Sequence, residues 1–135
     1  MGHHVVTTSR RGRPHSDIKL DLNQVQADDL QHLTAGVDRV VVSVPPTPLG
    51  DTIGETYQRL SDGARSVPHL VHTSSTGVYA KTPSYPTVTE ASGPFASTPR
   101  AERLLAAERA VRNHPHATVF RLAGLIGPDR HPIER

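Results

Sequence analysis

Short β-branched runs alternate with amphipathic helical stripes along this chain, and that alternation limits the fold more than any other feature. Val37-Asp38-Arg39-Val40-Val41-Val42-Ser43-Val44 is the strongest strand signal, and Pro45-Pro46 stops it. Four valines within Val40–Val44 predict burial on both faces, as in a parallel sheet. A second buried strand is read over Val67–Ser74 and a last one over Ala117–Leu122. Helical stripes lie between them. Ile53, Tyr57, Leu60 and Ala64 share a face after a capping Asp51. Ala101, Leu104, Leu105, Glu108 and Val111 share another, and Thr98-Pro99 supplies a capping hydroxyl and a first-turn proline. Glu108 breaks that otherwise apolar stripe. Nearer the start, His4–Ser9 and Ile18–Leu22 read as short strands. Ala27, Leu30 and Leu33 mark a helix with acids in its first turn and Gly36 at its end. The order β-β-α-β-α-β-loop-α-β predicts an α/β fold, a mostly parallel sheet with flanking helices. Ligands of such sheets gather beyond the C-terminal strand ends. Three suggestive segments follow strands: Thr7–Arg13, Thr73–Tyr79 and Ala123–Arg130. They point to one site along one sheet edge.

Composition narrows the function classes. A length of 135 residues predicts a single domain, and 12 Pro with 10 Gly predict a small core. Fifteen basic against 13 acidic residues leave a net charge of only +2, and aromatic content is 4%, so no nucleic-acid partner is expected. The chain has no cysteine, which excludes disulfides, thiolate zinc sites and thiol catalysis. Among nine histidines, the close pairs are His3-His4 and His114-Pro115-His116. No His-Glu-x-x-His occurs, so no metal site is expected. His3-His4 reads equally as natural sequence or as a tag scar. No apolar run approaches the ~20 residues that cross a bilayer. No signal peptide is read at the start, so the expectation is a cytoplasmic protein without a membrane partner. Ser75 lacks a Gly-x-Ser-x-Gly elbow and is not read as a hydrolase nucleophile.

Four motifs in order resemble the NAD(P)-dependent epimerase/dehydratase family, the extended short-chain dehydrogenases/reductases. His72-Thr73-Ser74-Ser75-Thr76-Gly77-Val78-Tyr79 is similar to that family's "SS-x-x-VYG" strand end. Glu90 with Ser92-Gly93-Pro94 is similar to its "E-x-x-P" loop, and Glu108 to a helix glutamate that follows the active-site tyrosine. Arg121-Leu122-Ala123-Gly124-Leu125-Ile126-Gly127-Pro128-Asp129-Arg130 resembles its "LR-x-x-x-x-YGP-x-R" strand and loop. The resemblance implies a Rossmann-like domain and a nucleotide-sugar-like or small carbonyl substrate. It makes Ser75 the catalytic hydroxyl that bonds the substrate oxygen. It places Ser9, Arg10 and Arg11 at the adenosine ribose, Asp21 at the adenine amino group, and Val44 and Pro45 along the cofactor ribose. Arginine rather than an acid at that ribose implies NADP over NAD. Each residue also has a plainer reading. Ser75 and Asp21 suit turn caps, and Arg10 and Arg11 suit a solvated turn.

Two departures from the family stand out. The chain has no G-x-x-G-x-x-G or G-x-G-x-x-G, the loop that brings backbone to the pyrophosphate, which predicts weak dinucleotide affinity. Counting back from Glu108, the family's Tyr-x-x-x-Lys pair falls on Arg100 and Leu104. Tyr79 and Tyr85 are candidate substitutes, with Lys81 close to both but not at helical spacing. The expectation is therefore residues 1–135 as an N-terminally truncated Rossmann-like domain lacking the first strand, glycine loop and first helix, with no separate substrate domain. A non-catalytic remnant or interaction module is the alternative. The family's sheet order, 3-2-1-4-5-6, would lose its central strand 1. Half-sheets separated by roughly 9–10 Å would result, given a ~4.8 Å strand spacing. Three outcomes are open: a fragment of a longer protein, direct closure of the gap, or a strand from a partner. Exposed strand edges predict a homo-oligomer.

Overall fold

Five strands and three helices form among residues 2–46, 53–79, 87–89 and 91–124, which the computed structural model describes. In chain order they are β1 (Thr8–Ser9), β2 (Ile18–Lys19), α1 (Ala27–Leu33), β3 (Arg39–Val42), α2 (Ile53–Gly63), β4 (His69–Ser75), α3 (Pro99–Val111) and β5 (Ala117–Leu122). A single 3-10 turn, Thr76–Val78, follows β4.

Helix ends form where local chemistry supplies partners for orphan amides. The Thr98 hydroxyl accepts the Ala101 N–H at 3.1 Å, and Pro99 opens α3. The Asp29 carboxylate accepts the Gln26 N–H at 3.3 Å at the start of α1. Gly36 takes φ of 74° in the turn beyond α1, a conformation that favours glycine.

Every strand pairing is parallel. β3, β4 and β5 make a three-stranded sheet in that order, with Val42 opposite His72 and Ser75 opposite Leu122. β1 and β2 make a separate two-stranded sheet. The two orders, β2-β1 and β3-β4-β5, are those expected of a 3-2-1-4-5-6 sheet with strand 1 left out. Direct pairing of β1 with β3, the closed-gap outcome, does not occur among the described residues.

The core lies on one face of the larger sheet. Val42 and Leu70 pack there with Leu30 of α1, Tyr57 and Leu60 of α2, and Ala107, Ala110 and Val111 of α3. Leu20, Leu22 and Val25, which follow β2, lean on the same cluster and join the smaller sheet to it. α1 approaches α2 closely at Gly63, where a Cβ would stand 2.4 Å from Leu30 Cβ and 2.7 Å from the Ala27 carbonyl oxygen.

Two expectations need correction. The valine run of β3 is not buried on both faces: Val42 is buried, but Val41 is 60% exposed and Val44 46% exposed. Alternation sends Val41 to the face opposite the helices, which the described residues leave open with Phe120 and Leu122 also exposed, and Val44 lies beyond the end of β3. The strand expected over His4–Ser9 shrinks to Thr8–Ser9, and the one over Ile18–Leu22 to Ile18–Lys19. Among the described residues β1 has only β2 as a partner, and Val5 and Val6 find no second ladder there and are exposed.

Candidate functional site

Parallel pairing brings the C-terminal ends of β3 and β4 to one sheet edge. α3 starts at the same edge, and the three elements enclose a cleft of about 430 Å³. Ser43, Pro45 and Pro46 line it from the exit of β3, Thr73, Ser74 and Ser75 from β4, and Arg100, Arg103 and Leu104 from α3. The two positions reached by counting back from Glu108 therefore face the cleft that Ser75 lines.

Ser75 Oγ accepts the Gly77 N–H at 3.1 Å, which orients the hydroxyl at the cleft wall and caps the 3-10 turn. The capping reading and the site reading both describe this residue. The wall opposite is clamped. Tyr57 donates its hydroxyl proton to the Val44 carbonyl, and burial pushes that phenol up to about 12. His72 Nδ1 lies 3.2 Å from the Val42 carbonyl. A carbonyl only accepts, so Nδ1 carries the proton and Nε2 is a bare, buried acceptor without a partner. Burial lowers the His72 pKa and keeps the ring neutral, edge-on to Tyr57 with centroids 5.1 Å apart.

Behind the cleft sits a buried ionic network. Ser74 donates to Glu108 Oε1 at 2.6 Å, and the Arg121 guanidinium binds both carboxylate oxygens, the shortest contact being 2.7 Å. Burial pushes the Glu108 carboxyl up, but the Arg121 and Ser74 hydrogen bonds outweigh it, and the net shift is downward. Arg121 also donates to the Tyr79 hydroxyl at 2.8 Å and stacks on its ring at 5.1 Å. Tyr79 is thus tied to Arg121 and is not among the described residues that line the cleft. Tyr85, Lys81, Glu90, Asp51 and the Gly127-Pro128 loop to Arg130 lie outside the described residues.

The expected adenosine contacts cluster apart from this cleft, beyond β1 and β2. Ser9 Oγ accepts the Arg13 N–H at 2.9 Å and lies 2.9 Å from Ser16 Oγ. Arg10 and Arg11 are exposed in the turn that follows. Asp21 Oδ1 accepts the Asn23 N–H at 3.0 Å, a turn cap that leaves its second oxygen without a partner among the described residues. Of the expected site residues, Ser75 and Pro45 share the cleft, and Val44 adjoins it. Thr73 opens the segment Thr73–Tyr79 that the sequence pointed to, whereas sequence reasoning missed Ser43 and Arg103. Arg103 was within reach of helical spacing, being three residues after Arg100 on one face.

The parallel strands, one-sided helices and strand-end cleft define a Rossmann-like α/β fold of the epimerase/dehydratase type. Among solved structures, the chain is similar to MoeE5 in complex with UDP-glucose and NAD, with a TM-score of 0.70 and 24% identity, covering 98% of this chain and 50% of that one. It is similar to UDP-N-acetylglucosamine 4-epimerase from Bacillus cereus, with a TM-score of 0.66 and 17% identity over 86% of this chain and 45% of that one. UDP-glucuronic acid 4-epimerase from Bacillus cereus in complex with NAD matches with a TM-score of 0.61 and 18% identity, over 86% and 41% respectively. The chain spans half or less of the length of each. No protein-family model and no curated protein matches the sequence. The resemblance read from the motifs therefore holds at the level of the fold.

Proposed function

We propose that this chain is part of an NAD(P)-dependent epimerase/dehydratase-like protein that acts on a nucleotide-sugar-like or small carbonyl substrate. The observation that carries the reading is the cleft itself, with Ser75 at the C-terminal end of a parallel strand beside the start of α3. The similar solved structures include complexes with NAD, with UDP-glucose and NAD and, for the glucuronic acid epimerase, with UDP-glucuronic acid and NAD.

The cofactor residues fit the role chemically. Arg10 and Arg11 are exposed and donate no hydrogen bond to the described residues, so their guanidinium groups are available to a 2′-phosphate, which favours NADP. Asp21 keeps one carboxylate oxygen for the adenine amino group. Val44 and Pro45 offer an exposed, side-chain-poor wall to a ribose. When bound, the dinucleotide supplies or accepts hydride. In the cleft, Ser75 donates a hydrogen bond to the substrate oxygen. Arg100 stays protonated and cannot act as a general acid, and Leu104 has no titratable group.

Those two residues favour a second reading, a cleft that binds without turnover. The test is a fluorescence titration with NADPH and NADH. Saturable NADPH binding, weakened by Arg10→Ala and Arg11→Ala, supports the first reading. No response to either nucleotide at millimolar concentration refutes cofactor binding by this chain. Nucleotide binding with UDP-sugars recovered unconverted, as read by chromatography of the sugar products, selects the second reading. The exposed Val41, Phe120 and Leu122 and the unpaired strand edges support self-association, which sedimentation velocity over a concentration series measures.

A further inference from the structure

The cleft is positively charged in a way that its proposed chemistry does not require. Among the described residues that line it, two are arginines and none is a carboxylate. Arg100 and Arg103 donate no hydrogen bond and form no ion pair with the described residues. Arg103 is half-buried, and its Nε is buried with no partner, so its stem is packed down before any ligand arrives. A buried Nε–H without an acceptor among the described residues is unfavourable, and an oxyanion that reaches it relieves the cost. The acid farther along the same helix face, Glu108, is neutralised by Arg121 and is 2% exposed. Thr98 caps the end of α3, so the charge of the cleft resides in the two side chains. Four hydroxyl-bearing residues, Ser43, Thr73, Ser74 and Ser75, share the cleft with them, and the Ser74 hydroxyl is already committed to Glu108.

We infer that the cleft selects a monosaccharide-sized polyol bearing an oxyanion, either a carboxylate or a phosphate ester. The two guanidinium groups take the anion as planar, multidentate donors. Ser43 and Ser75 take ring hydroxyls. A volume of about 430 Å³ suits such a ligand. In this arrangement Arg100 replaces acid–base chemistry with charge recognition. The inference rests on the cleft being the substrate site, as proposed above, and not on the dinucleotide.

Calorimetric titration of the full chain with glucuronate, glucose 6-phosphate and glucose tests it, the first two distinguishing carboxylate from phosphate. At least one anionic sugar binds ten or more times more tightly than glucose. Arg100→Ala and Arg103→Ala each weaken that binding about tenfold, the size of one lost charge-assisted hydrogen bond. Arg109→Ala, an exposed residue of the same helix, leaves it unchanged. Circular dichroism checks folding, and Arg103→Met, which keeps the packed stem, replaces the alanine variant if that one unfolds. Equal binding of glucose, full affinity in the Arg100→Ala/Arg103→Ala double variant, or no binding of either anion at tens of millimolar overturns the inference. NADPH fluorescence is read separately. Anion binding without an NADPH response overturns the cofactor reading alone, and the reverse overturns this one alone.

Discussion

Glu108→Gln is the sharpest probe of what holds this fold together. The carboxylate is 2% exposed and accepts from Ser74 and from both arms of the Arg121 fork. Glutamine keeps the shape and the Ser74 acceptor, but it turns an –NH₂ toward the guanidinium and removes the charge. Breaking a buried pair by changing one partner costs about 3–5 kcal/mol. The Arg121 side chain keeps 21% exposure, so water recovers part of its solvation. The expected loss is therefore about 2–3 kcal/mol, a large share of the ~5–15 kcal/mol that holds a domain folded. Urea unfolding followed by circular dichroism reads it as a midpoint lowered by roughly 1–2 M at unchanged slope. The triple variant Ser74→Ala/Glu108→Leu/Arg121→Met removes every member of the network and returns stability to within about 1 kcal/mol of the parent. A Glu108→Gln midpoint equal to the parent's, or a triple variant as unstable as the single, would refute this reasoning.

Other perturbations follow from the same geometry. Gly63→Ala forces a methyl against Leu30 and the Ala27 carbonyl, and lowers stability by about 1–3 kcal/mol in the same urea assay. Tyr57→Phe deletes the hydroxyl that holds the Val44 carbonyl and lowers stability by about 1 kcal/mol. Stability also falls with acid in two steps. The buried His72 has a lowered pKa, so the unfolded chain takes up its proton first, and stability drops as pH falls below the ordinary histidine value of ~6.5. The Glu108 carboxyl is likewise lowered, so its contribution is present above the ordinary carboxylate range and disappears as pH falls through its depressed native value. Urea midpoints measured from pH 8 to pH 3 show both steps, and His72→Phe removes the first.

Local signals determined the elements whose causes are local. The Thr98 hydroxyl and Pro99 start α3 where the sequence places its helix, because capping needs only residues within one turn. The apolar spacing of Ala27, Leu30 and Leu33 and the run Ala117–Leu122 likewise match α1 and β5 in extent. The unusual Glu108 in an apolar stripe was visible in the sequence, but its partner was not. Arg121 and Ser74 lie on other strands, and only tertiary folding brings them within hydrogen-bond distance. The same holds for the cleft. Counting from Glu108 put Arg100 and Leu104 at the site and the strand-end motif put Thr73 there, whereas Arg103 and Ser43 joined it only when β3, β4 and α3 met. Periodicity says which side chains share a face, and it is silent on what covers that face. Val40–Val44 reads as a doubly buried strand, yet all three helices lie on one side, and Val41 is left exposed. Spacing along the chain sets secondary structure; distances through space set burial, ion pairing and the charge of the cleft.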